Sequence, residues 1–167
     1  MDKRRFLQAA AGATLLPATA GAASPARSAA PALLTVSGAI RQANRPPLNK
    51  ALDQMMAKHG VVFDKGFAFG FADIAALPAI EIRPTLEYDG LKHTLRGPTV
   101  ARVLEAAGAV ATDSTPVGLR AVDGYNAELT LGELKRLGFI VATHIDGQPL
   151  ALGGLGPMWA VYEPDRF

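Results

Sequence analysis

The sequence predicts an α+β domain: a mixed, mainly antiparallel β-sheet carrying short helices. Three observations predict it. Several short runs are β-branched or alternate apolar with polar residues, as strands do. Asp-Gly pairs at 89–90, 123–124 and 146–147 fall between such runs, where two-residue hairpin turns need a residue that tolerates positive φ. The helical stretches are short and do not follow a strict strand–helix–strand alternation, which argues against a doubly wound parallel sheet. No internal repeat is present.

Residues 1–22 read as an export signal. They have a basic head, an alanine-rich apolar middle and small residues suited to cleavage at Ala20-Gly21-Ala22 or Ala18-Thr19-Ala20. Lys3, Arg4, Arg5, Phe6 and Leu7 resemble a twin-arginine signal, with Lys-Arg as the basic pair. The apolar middle is interrupted by Gly12 and Pro17 and is shorter than the roughly 20 residues a membrane-spanning helix needs, so no stable membrane insertion is expected. Residues 23–32 read as a flexible tether and residues 33–167 as the domain. The expected location is periplasmic or otherwise exported.

Cleavage changes the charge. The whole chain carries 17 Lys and Arg against 15 Asp and Glu. Lys3, Arg4 and Arg5 leave together with Asp2, so the remainder is formally neutral. The basic character therefore belongs to the signal, and no nucleic-acid partner is expected. The absence of cysteine excludes disulfides, thiolate metal ligands and a cysteine nucleophile.

Along the domain, LLTVSGAI (33–40) reads as a strand closed by the turn-forming RQANRPP. LNKALDQMMAKHG (48–60) places Leu48, Leu52, Met55 and Met56 at helical spacing, a core-facing stripe ending on His59-Gly60. Phe67, Phe69 and Phe71 alternate, a short helical turn follows with Asp73 near its start, and AIEIRPTLEY (79–88) reads as a strand. Asp89-Gly90 turns it into LKHTLRG (91–97). PTVARVLEAAGA (98–109) reads as a helix with Pro98 in its first turn, Gly108 past its end, and Val100, Val103, Leu104 and Ala107 on its apolar face. Strands at 117–122 and 125–131 flank Asp123-Gly124, a short helix at 131–138 ends on Gly138, and Asp146-Gly147 joins FIVATHI to QPLAL. MWAVYE (158–163) is the closing strand.

Little of this names a reaction. Gly153, Gly154 and Gly156 do not form a phosphate loop, because a strand and not a helix follows them and no Lys-Ser or Lys-Thr is present. The serines, Ser24, Ser28, Ser37 and Ser114, include none in a nucleophile elbow. The histidines, His59, His93 and His144, lie in different elements without metal-ligand spacing. His59 suits a helix end, and His93 and His144 suit partly exposed strand positions. Asp123-Gly124-Tyr125-Asn126 leaves two alternatives: a junction that holds a hydrogen-bonding ring, or a plain hairpin turn with Tyr125 packed on the sheet.

The order of segments carries more. Gly97-Pro98 leads into a helix ending AAGA, Asp123-Gly124-Tyr125 precedes a strand, and Asp146-Gly147-Gln148-Pro149-Leu150 is followed by Gly156-Pro157-Met158-Trp159-Ala160-Val161-Tyr162. Together these resemble the molybdopterin-binding domain of the sulfite oxidase superfamily, in particular its small exported bacterial relatives. The resemblance runs from about Leu33 onward and is strongest from His93. It implies a sulfite-oxidase-like fold and a molybdopterin cofactor contacted near Arg83, His93, Asp123, Tyr125, Asn126 and His144. In that picture Arg83 and the histidines meet the ligand's phosphate, and Asp123 and Asn126 read the pterin edge.

The sequence departs from the family where the metal is held. The family's oxidoreductases bind molybdenum through a cysteine thiolate, a soft ligand suited to that metal, and this chain has none. They also carry His-Gly before the final strand where this chain has Leu155-Gly156, and they continue into a further strand beyond the counterpart of Phe167. Two functions follow as expectations. One is an exported oxidoreductase-like protein binding a pterin-type ligand without the thiolate. The other is a non-catalytic binding or accessory module on the same fold, with a small molecule or a periplasmic redox or accessory protein as its partner.

Overall fold

The computed structural model describes residues 30–167; the expected signal at 1–22 and most of the expected tether lie outside the described residues. Strand β1 (Leu34–Ser37) pairs antiparallel with β2 (Gly66–Phe69), Leu34 opposite Phe69. Between them lies α1 (Gln54–Lys58), and after β2 comes α2 (Phe71–Ala75). A four-stranded antiparallel sheet follows from β3 (Ala79–Ile82), β4 (Leu95–Pro98), β8 (His144–Ile145) and β9 (Gln148–Pro149), in that spatial order. Helix α3 (Val100–Ala106) leads to the hairpin of β5 (Pro116–Arg120) and β6 (Asn126–Thr130). Helix α4 (Leu131–Leu137) then enters β7 (Ile140–Ala142), which pairs antiparallel with β10 (Trp159–Val161). A 3-10 turn spans Pro164–Arg166. The mixed, antiparallel α+β class expected from the Asp-Gly turns is what the chain forms.

Only Thr143 separates β7 from β8, and this one segment lies along β4 on both sides of the break. The Thr143 N–H donates to the Arg96 carbonyl at 2.9 Å, and the Val100 N–H to the Phe139 carbonyl at 2.9 Å. The two strands approach so closely that a Cβ on Gly97 would lie 1.9 Å from the Val141 carbonyl oxygen. Only glycine permits that approach.

Strand alternation divides the core around β7. Val141 joins Ile40, Phe69, Ile74, Val100, Val103, Ala107 and Leu134 on one side. Ile140 and Ala142 join Ile82, Leu86, Leu95, Leu150 and Val161 on the other. The expected apolar face of the 98–109 helix contributes to the first group: Val100, Val103 and Ala107 are buried, with Leu104 half-buried against them. Helix α4 is closed as its sequence reads. Thr130 and Glu133 satisfy each other's backbone N–H groups at its start, and Gly138 ends it in the left-handed region at φ 69°.

Four local expectations are corrected. The helix expected across 48–60 shrinks to the five residues of α1, with no buried residue; Leu52 is 83 % exposed and Met55 is exposed as well. The cause is local. The Asn49 side-chain oxygen accepts from the Ala51 and Leu52 N–H groups, and Asp53 accepts from the Asn49 N–H, so side chains hold the backbone in a turn where a helix would begin. Pro98 is the last residue of β4, opposite Ala79, and Thr99 is the cap of α3 in its place. Phe71 opens α2 and does not continue the β2 alternation, because Asp73 accepts from the Gly70 N–H and starts the helix there. The strand expected at 79–88 stops at Ile82, two residues before Pro84, which has no N–H to give to a ladder.

Candidate functional site

Two hairpins meet at His93. In the first, β3 and β4 are extended past their ends by a bridge between Thr85 and Lys92, and the turn closes with Leu86 N–H donating to the Leu91 carbonyl and Gly90 N–H to the Leu86 carbonyl. Asp89 stands in this turn and accepts from the Leu91 N–H at 3.0 Å. The second is the two-residue turn between β8 and β9, where Asp146 and Gly147 both have positive φ (48° and 81°), the pattern that matches the twist of paired strands. Asp146 is tied to the first hairpin by two bonds: its N–H donates to the Thr94 carbonyl at 2.8 Å, and its carboxylate accepts from the Thr94 N–H at 2.9 Å.

The His93 ring lies between the two carboxylates. Nδ1 is 2.6 Å from Asp146 Oδ2 and Nε2 is 2.9 Å from Asp89 Oδ2. A carboxylate only accepts, so both contacts are hydrogen bonds when the ring is the doubly protonated imidazolium. The bonds to Asp146 and then Asp89 accordingly hold the His93 pKa above the ordinary imidazole value. The Asp146 carboxyl is held below its usual range by the His93 bond and then the Thr94 N–H, with the charges of His93 and Arg83 adding to the effect. Asp89 is lowered first by the Leu91 N–H and then by His93.

Beside this triad is an open cavity of about 440 Å³, lined by Leu86, Tyr88, Asp89, His93, Ile145, Gly154 and Leu155. Its walls are mostly apolar. The glycine-rich turn expected to lead into the last strand does so, and Gly154 and Leu155 become the third wall. The chain's C-terminal turn braces the same hairpin from outside. Asp165 accepts from the Thr85 hydroxyl and N–H at 2.6 and 2.9 Å, which keep its pKa low, and Glu163 accepts from the Arg83 N–H at 3.2 Å.

The six residues named from the sequence fall in three places. His93 bonds Asp146, and Arg83, whose backbone N–H donates to Glu163, bears on Asp146 through its charge alone. His144 is the cross-strand partner of Arg96, while its neighbour Ile145 lines the cavity; strand alternation thus turns His144 to the other face of the sheet, where its ring lies 5.9 Å from Phe71 and Nδ1 meets the Thr143 hydroxyl at 2.8 Å. Asp123, Tyr125 and Asn126 are in the β5–β6 hairpin, whose tip lies against His59 at the end of α1: the Arg120 guanidinium donates to the His59 carbonyl, and a Cβ on Gly124 would lie 2.5 Å from the His59 ring. Asp123 accepts from the Tyr125 N–H, as an Asp in a tight turn does, and Tyr125 is 71 % exposed and not packed on the sheet. The two aspartates of the triad were legible only as turn formers. Their common signal was two Asp-Gly pairs, one placed four residues before a histidine.

For molybdenum the donor set is a poor match. The chain has no thiolate, and among the described residues no group of three or more His, Cys, Asp or Glu is arranged to hold a metal ion. Both His93 nitrogens already face carboxylates, so the ring offers no free nitrogen to a metal or to a substrate proton. Among the described residues no helix is long and apolar enough to cross a membrane. The chain matches no protein-family model and no curated protein.

Proposed function

We propose that the chain is a non-catalytic binding module, acting after export, whose cavity between the two hairpins takes a small and largely apolar ligand. One observation carries this reading: the histidine that lines the cavity has both ring nitrogens engaged by Asp89 and Asp146. A general base or metal ligand needs a free lone pair at its working atom. The engaged ring instead ties the two hairpins together. Leu86, Ile145 and Leu155 offer the apolar contact, Tyr88 a ring face, and Asp89 an acceptor at the rim. The resemblance to the sulfite oxidase superfamily's molybdopterin-binding domain supplies the scaffold of this proposal, and the missing cysteine supports binding over redox catalysis.

The test is amide-resolved NMR of the folded protein titrated with phenethylamine, an aromatic ring bearing one ammonium. Shift changes are expected at Leu86, Tyr88, Ile145 and Leu155. Changes scattered over the surface, or none at these residues, end the proposal.

A second reading is a pterin-type ligand at the same place. It is favoured by the resemblance, which implies a molybdopterin cofactor contacted near Arg83 and His93. Pterin fluorescence in protein purified from a cofactor-producing host would support this reading. Its absence from the folded, exported protein would leave the first.

A further inference from the structure

We infer that His93 is a proton-operated latch between the two hairpins: protonated, it binds Asp89 and Asp146 together; neutral, it releases Asp89 and frees the turn that forms one wall of the cavity. The inference rests on the hydrogen-bond geometry and holds whatever the cavity binds.

The valence of the ring requires a change. Neutral imidazole has one N–H and one lone pair. With carboxylate oxygens at 2.6 and 2.9 Å from its two nitrogens, loss of the proton leaves one nitrogen presenting a lone pair to an anion. That contact becomes repulsive. The two sides are not equivalent, because Asp146 is anchored to the β4 side by its paired bonds with Thr94 and has the shorter contact to the ring. Asp89 has the longer contact and sits in a turn whose neighbours Tyr88 and Leu91 are exposed. The N–H therefore stays on Nδ1 toward Asp146, and the bond lost is the one from Nε2 to Asp89.

The surrounding charges support this order. From the first hairpin come Glu87, Asp89 and Lys92, with the Tyr88 phenol; from the second comes Asp146. Arg83, on the chain after β3, acts on Asp146 and strengthens its hold as an anion. From the C-terminal turn, Asp165 lies 4.0 Å from the Lys92 ammonium and Glu163 takes the Arg83 N–H, so these two anions already have partners. Gly154 and Leu155, the third wall, bring no charge. Asp89 and Asp146 are the anions in contact with the ring.

The experiment is ring-nitrogen NMR of His93 together with amide exchange of the 86–91 turn, followed from mildly acidic to mildly alkaline pH on the full chain. His93 is expected to stay doubly protonated past pH 6.5, the ordinary imidazole value, and then to become a single Nδ1–H tautomer. At the same midpoint the amides of Gly90 and Leu91 are expected to exchange faster by about tenfold beyond their intrinsic pH dependence, as a locally opened turn does. Asp89→Asn should lower the midpoint and uncouple the turn from it. His93→Gln, neutral throughout, should leave the turn loose at every pH. A His93 ring that turns neutral at or below the ordinary value, an Nε2–H tautomer, or turn amides indifferent to its midpoint would each overturn the inference in the unmutated protein.

Discussion

Gly97 and Val141 meet backbone to backbone, with space on Gly97 for a hydrogen and nothing larger: an added Cβ would sit 1.9 Å from the Val141 carbonyl oxygen and 2.9 Å from the Ala142 Cα. Both neighbours are backbone atoms of a strand buried on both faces, so neither can yield as a flexible side chain could. Gly97→Ala is expected to destabilise the fold by about 3 kcal/mol or more, the upper end of overpacking costs. Urea unfolding reads it directly, and an unchanged midpoint would mean that β4 and β7 can part without loss.

Stability should depend on pH through the His93 cluster. His93 has a raised pKa, so its contribution is complete below the ordinary value of 6.5 and is lost as pH rises through the higher folded value. Asp89 and Asp146 have lowered pKa values, so theirs is present above the ordinary carboxyl value of 3.8 and is lost as pH falls through the lower folded ones. The cluster thus supports the fold most between those limits. Comparing unfolding midpoints of the wild type and His93→Gln across this range should show the alkaline decline shrink in the variant; parallel curves would remove His93 from the account.

The two ends of the hydrophobic scale can be compared in one experiment. Ile140 is fully buried, and Ile140→Ala is expected to cost about 2–5 kcal/mol. Leu52 is exposed, and Leu52→Ala is expected to stay within about 0.5 kcal/mol of the wild type. Equal losses would restore Leu52 to the core that its helical spacing suggested.

Arg45 and Asp53 form a largely covered pair that holds the loop before α1 against β1, since the same guanidinium also donates to the Thr35 hydroxyl. Asp53→Asn keeps the shape and removes the charge. A loss of about 1.5–3 kcal/mol is expected, as for hydrogen bonds to charged groups. Thermal unfolding measures it, and a variant as stable as the wild type would show the pair to be dispensable.

Much of this fold could be read from short-range chemistry. The Asp-Gly pairs at 89–90, 123–124 and 146–147 all lie in hairpin turns, although only 146–147 forms the two-residue turn and the other two close over longer loops, and Gly138 ends α4 in the conformation its position suggested. What failed was where a side chain competed with the backbone pattern. Asn49 and Asp53 hold a turn inside an apparent helix, and Asp73 starts α2 one residue into a strand-like alternation. The site was harder to read for a different reason. His93 was visible as a candidate, but Asp146 is 53 residues away in sequence and reaches it only because β4 pairs with β8. Hairpin signals define each turn separately and say nothing of which turns will share a proton.

The division of the core around β7 bears on how the chain comes apart. Because Val141 belongs to one apolar cluster and Ile140 and Ala142 to the other, neither half can melt while leaving the other with its own wall. Two clusters that share a single strand of three residues are one cooperative unit. Heat or denaturant should therefore remove both together, and a perturbation confined to one side should be felt as lost protection on the other.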